Sequence, residues 1–131
     1  MDPKRVVVIG IEPVFKDAAG CIREWKIDNG CQITVIEKLA GAVGEGHVHD
    51  GKDPSKNPER LLIVKGDIEL VFWECGQNVK YSQRVGVGDP IIIQPGVAHV
   101  LHFLTDSIVL EFRITHFDKN NPDTVKVKEP V

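Results

Sequence analysis

A chain of 131 residues is the length of one globular domain, and it can bury roughly two thirds of the surface its unfolded form exposes. With 27% charged residues and a formal net charge of −3, it lacks the basic excess of a protein that grips nucleic acid or an anionic membrane. The longest apolar runs, Arg5–Ile11 and Ser107–Phe112, are too short to cross a bilayer, and the start Met1-Asp-Pro-Lys-Arg5 shows no signal-peptide pattern, so the expected address is the cytoplasm.

Segments rich in β-branched and aromatic residues follow one another with glycine or proline between most of them. They predict strands at Arg5–Ile9, Cys21–Ile27, Cys31–Lys38, Glu45–Asp50, Arg60–Lys65, Ile68–Trp73, Val79–Val85, Pro90–Gln94, His99–Leu104 and Ile108–Thr115. Asp28-Asn29-Gly30 and Lys65-Gly66-Asp67 supply turn residues that tolerate positive φ. Ile68–Glu74 and Ile108–Ile114 alternate an apolar with a mixed face, as a sheet lying on a core does. Ten short strands at near-regular spacing predict an all-β, antiparallel barrel or double sheet. The first strand ends at Gly10-Ile-Glu-Pro13, which lacks the remaining glycines of a dinucleotide-binding turn. Three cysteines, Cys21, Cys31 and Cys75, without C-x-x-C spacing imply neither a disulfide framework nor a thiolate zinc site.

Three histidines and a glutamate carry the chemistry. In an extended segment His47 and His49 point to the same face, because strand side chains repeat every two residues. Glu59 opens the next strand, and His99 follows the turn Gln94-Pro95-Gly96. Imidazole and carboxylate suit a divalent Zn, Fe, Mn or Ni ion without selecting among them. His102, an odd number of residues after His99, points to the opposite face. The nine residues Asp50–Pro58 between His49 and Glu59 form a loop beside the expected site, either a lid or specificity element or a tolerated surface insertion. If Glu59 is instead a solvated charge, three histidines still make a workable site.

The spacing Gly41-x5-His47-x-His49, Glu59-x6-Gly66, then Gly88 through Gln94-Pro95-Gly96-x2-His99, resembles the two signature motifs of the cupins across residues 31–115. More narrowly, Gly46–His49, Glu59–Val64, Gln94–His99 and the closing Phe117-Asp-Lys-Asn-Asn-Pro-Asp-Thr124 resemble cupin domains of bacterial capsular-polysaccharide nucleotide-sugar enzymes. The resemblance implies a double-stranded β-helix, or jelly-roll barrel. It implies one cupin domain over residues 1–131, with residues 1–30 as N-terminal strands and 116–131 as a C-terminal tail. It also implies a homodimer and a small-molecule substrate such as a sugar or nucleotide-sugar.

Three neutral imidazoles, one carboxylate and a divalent ion leave a local charge of about +1, which suits proton transfer next to a carbonyl, as in isomerisation or epimerisation of a keto-sugar. Tyr81 and Glu111 are the proposed acid and base, with Glu69 and His102 as further candidates. Local positive charge for a nucleotide-sugar is sought in Arg23, Arg60 or Arg113. The alternatives are a cupin dioxygenase on a small bidentate substrate, a non-catalytic sugar-binding cupin, and a metal-free enzyme in which His47 or His49, paired with Asp50 or Asp53, is the base.

Overall fold

The computed structural model describes residues 1–131. Its strands are β1 (Phe15–Asp17), β2 (Gly20–Lys26), β3 (Gln32–Lys38), β4 (His47–His49), β5 (Glu59–Lys65), β6 (Asp67–Glu74), β7 (Lys80–Gly86), β8 (Pro90–Ile93), β9 (Val97–Phe103), β10 (Ser107–Arg113) and β11 (Thr124–Lys126). They form two antiparallel sheets with orders β1-β2-β3-β10-β5-β8 and β11-β4-β9-β6-β7. The nearly all-β double sheet expected from the strand pattern is therefore present.

Alternation decides which side chains meet between the sheets. On β5 the buried positions are Glu59, Leu61 and Ile63, and on β10 they are Ser107, Val109, Glu111 and Arg113. Each strand thus begins or ends its inward row with polar residues and fills the middle with aliphatic ones. The aliphatic parts make one core of Leu61, Ile63, Ile68, Leu70, Val85, Ile91, Ile93, Phe103 and Val109. Of the polar positions, Glu59, Glu111 and Arg113 gather at one end of the barrel, and Ser107 lies at the other beside Gly66. The β5–β6 connection passes through Gly66 at φ +101°, where an added Cβ would collide with Ser107 Oγ, so both the backbone angle and the space call for glycine.

The outer faces differ. That of the second sheet is covered: Val48, Val71, Trp73, Ala98 and Val100 pack under Val127 of the C-terminal segment. On the first sheet the alternate positions Trp25, Leu62, Val64, Ile92 and Phe112 are exposed.

Two expectations are corrected. Arg5–Ile9 is not a strand: Pro3–Arg5 forms a short 3₁₀ turn, and Val6–Ile9 runs exposed with no strand to pair with. Residues 116–131 are more than a tail, because β11 pairs with β4 in the register Thr124↔His49 and Lys126↔His47. Short polar strands such as β11 and β1 lack the β-branched runs that make a strand legible.

Candidate metal centre

The four expected ligands converge. His47 and His49 come from β4, and His99 stands across the ladder from His47 on β9, so the second sheet supplies all three imidazoles. Glu59, the first residue of β5, reaches them from the first sheet. One ligand atom from each of the four lies within 4.8 Å of all the others. Bonds of about 2.1 Å place opposite ligands of a metal about 4.2 Å apart, so only a small contraction is needed.

The hydrogen bonds behind the rings settle what the rings present. His47 Nδ1 donates to the Glu45 carbonyl at 2.9 Å, His99 Nδ1 to the Val97 carbonyl at 3.1 Å, and His49 Nδ1 to Asp123 Oδ1 at 3.0 Å. A carbonyl or carboxylate oxygen only accepts, so each Nδ1 carries a proton, and each ring in its neutral form turns a bare Nε2 inward. Glu59 Oε2 lies 3.1 Å from both His49 Nε2 and His99 Nε2, yet all three atoms are buried without a satisfying hydrogen bond. Lone pairs and a carboxylate oxygen facing one point suit a cation there. The donor set and its geometry fit a divalent metal ion.

The protonation tendencies follow from the same contacts. Burial lowers the His47 pKa, and neighbouring His99 lowers it further. Burial opposes the charged form of His49 as well, but the close approach and charge of Glu59, helped by Asp123, leave its pKa raised. For Glu59, burial works upward and is outweighed by the polar contacts with His49, His99 and Glu111, which hold it well below the usual carboxylate range. Glu111 is pushed up to about 7 by burial, with Lys56 pulling down and the Glu59 charge pushing up.

His47, Glu59 and His99 line a cavity of about 370 Å³ together with Glu111, Arg113, Lys56, Thr34, Leu101 and Phe103, while His49 is buried against Glu59. Glu111 is thus at the site. Tyr81 is not: it stacks on Phe72, which stands between it and His99 in the strand register, and it lines a separate cavity of about 540 Å³ between β7 and β8. That cavity is larger but gathers no ligand set, so the smaller one is the candidate site. His102 faces away, near Glu129, as its odd spacing from His99 requires, and Glu69 lies across the ladder from it on the same outward face. Of the three arginines, Arg113 alone lines the site; Arg60 donates to the Pro58 carbonyl and Arg23 lies by Glu37.

Two residues escaped the sequence reading. Asp123 lies 74 positions from His49, and its second oxygen accepts from the backbone N–H of Asp53 at 3.0 Å and of Gly51 at 3.1 Å. Neither Asp50 nor Asp53 pairs with a histidine. The closing string Phe117–Thr124 contained the residue, but only the β11–β4 pairing reveals its partner. Lys56 sits in the Asp50–Pro58 insertion, which is a folded wall: Asp53 and Ser55 are buried and a 3₁₀ turn spans Pro54–Lys56.

No family model and no curated protein matches this sequence. Solved structures do. The capsular polysaccharide assembling protein CapF of Staphylococcus aureus superposes with a TM-score of 0.80 at 22% identity, over 96% of this chain and 34% of CapF. Oxalate decarboxylase of Lactobacillus farciminis gives 0.68 at 14%, over 89% of this chain and 33% of that one. A single-substitution variant of the Bacillus subtilis oxalate decarboxylase gives 0.66 at 20%, over 86% and 29%. The chain has a cupin fold. It spans about a third of the length of each of these proteins, with a His-His-Glu-His cluster between its sheets.

The Asp123 contact generates a prediction. Asp123→Asn removes a pure acceptor behind His49 and loosens the ring that the aspartate orients. Metal affinity, measured by competition with a chromophoric chelator, should fall about tenfold to hundredfold while far-UV circular dichroism stays unchanged. An unaltered affinity would mean that Asp123 only ties the loop.

Proposed function

We propose that this cupin is a metal-dependent enzyme of isomerase or epimerase type, acting on a sugar or related carbonyl compound. The observation that carries the reading is the set of bare Nε2 atoms around Glu59, with Glu111 as a second carboxyl in the same cavity. His47, His49, Glu59 and His99 would hold the ion. A divalent ion bound there would act as a Lewis acid, drawing electron density from a carbonyl oxygen.

The chain's own residues then divide the work. Glu111 lines the cavity and is not needed as a ligand, so it is the group placed to take a proton from, or return one to, a carbon beside that carbonyl. Arg113 holds the Glu111 carboxyl in position through its Nη2. Ile36, Leu101, Phe103 and Val109 provide an apolar floor that limits water around the reacting carbon. The cavity is near the lower end of small-molecule sites, enough for a sugar ring rather than a whole nucleotide-sugar. Similarity to CapF, named as a capsular polysaccharide assembling protein, favours the sugar reading; similarity to oxalate decarboxylase keeps a small bidentate acid and oxygen chemistry as the second reading.

Metal-reconstituted protein incubated with a keto-sugar in D2O should place deuterium on the carbon next to the carbonyl without consuming dioxygen. His99→Ala should abolish this. Dioxygen uptake without deuterium incorporation would move the assignment to the oxygenase, and neither signal, with binding retained, to a sugar-binding module.

A homodimer is the second part of this proposal, supported by the exposed Trp25, Leu62, Val64, Ile92 and Phe112 on one sheet face. Light scattering should give about twice the 14.5 kDa chain mass, and Phe112→Glu should halve it. A wild-type protein that stays monomeric at tens of micromolar would contradict it.

A further inference from the structure

The insertion between His49 and Glu59 brings a lysine into the metal cavity. Lys56 ends the Pro54–Lys56 turn, and its side chain is 14% exposed although lysine is ordinarily a surface residue. Its Nζ lies 3.7 Å from Glu111 Oε2, which is ion-pair distance but too long for a hydrogen bond, and the residue lines the cavity. The ammonium therefore carries three N–H donors that no protein acceptor takes up.

The neighbouring charges explain why Glu111 does not satisfy it. Arg113 Nη2 contacts Glu111 Oε1 directly, Arg113 Nη1 donates to Ser55 Oγ at 2.9 Å, and Asp53 Oδ2 lies 3.9 Å away. The guanidinium is the principal partner of Glu111, leaving Lys56 as the cation with spare donors.

The lysine is also held in place. Asp53 Oδ1 caps the turn, accepting from Ser55 N at 2.9 Å and Ser55 Oγ at 2.7 Å, while Asp53 N donates to Asp123 Oδ2 at 3.0 Å. Asp123 is the same carboxylate that orients His49. The loop carrying Lys56 and a metal-binding imidazole are thus fixed to one group, and the ammonium is preorganised relative to the cluster.

We propose that Lys56 makes this a site for a small carboxylate, one carboxyl group of the ligand accepting from the Lys56 ammonium while another of its oxygens faces the His47–His49–Glu59–His99 cluster. The inference rests on the metal reading above and narrows its substrate class to acids, such as a sugar acid or a keto acid, that fit a cavity of about 370 Å³. A largely enclosed ammonium with spare donors discriminates between a carboxylate and its uncharged amide, because only the former supplies charge-assisted bonds.

The test compares malonate with malonamide by isothermal titration on metal-loaded wild type, Lys56→Met and Lys56→Arg. Metal content is measured on the same samples and melting is followed by circular dichroism. Wild type should bind malonate, Lys56→Met should bind it about tenfold or more weaker with metal content unchanged, and Lys56→Arg should restore binding to within a few-fold. Malonamide should bind all three alike. Metal-loaded wild type that ignores malonate, or Lys56→Met that binds it as wild type does, overturns the proposal alone. Protein that takes up no metal overturns the metal reading and the proposal with it.

Discussion

A carboxylate oxygen from one sheet faces three imidazole nitrogens from the other, and the architecture of this end of the barrel is arranged around that contact. Each of the buried atoms left without a partner, His49 Nε2, His99 Nε2 and Glu59 Oε2, costs about 1–3 kcal/mol if nothing satisfies it. A bound cation would remove that cost and would join the two sheets at the point where the aliphatic core gives way to polar side chains. The core of Ile63, Ile68, Phe103 and Val109 keeps the sheets at the spacing the site needs.

Asp123 extends this arrangement to the rest of the chain. It sits immediately before β11, the strand that adds to β4 at the sheet edge, so the C-terminal segment is placed by backbone pairing before its carboxylate acts. From there it accepts from His49, Gly51 and Asp53 together, coupling a ligand to the loop that carries Lys56 and Ser55. A surface insertion of nine residues becomes a wall of the site because its polar groups find buried partners, among them Arg113 on β10.

The strand-period argument was enough to bring His47 and His49 to one face, to turn His102 away from His99, and to recover most of the sheet residues. Glu59 entered the ligand set by opening the next strand and by the cupin-like spacing Glu59-x6-Gly66, despite the long loop before it. What the strand period could not reach were contacts between residues distant in sequence: Asp123 with His49, Arg113 with Ser55, and Lys56 with Glu111 are set by how strands stack. Tyr81 illustrates the same limit from the other side. A tyrosine on a strand of the ligand-bearing sheet was compatible with the site, but the strand order puts Phe72 between it and His99. Val6–Ile9 has the composition of a strand and no partner, because composition gives propensity while a sheet edge gives the hydrogen bonds.

His47, His49, Glu59 and His99 are expected to bind one divalent ion together. X-ray absorption spectroscopy on metal-reconstituted protein, with metal content determined on the same sample, tests it most directly. The expected result is about one ion per chain in a shell of nitrogen and oxygen at about 2.0–2.2 Å, with the outer-shell scattering of three imidazoles and no sulfur. A substoichiometric ion, a sulfur ligand, or the signature of one imidazole or none would contradict it.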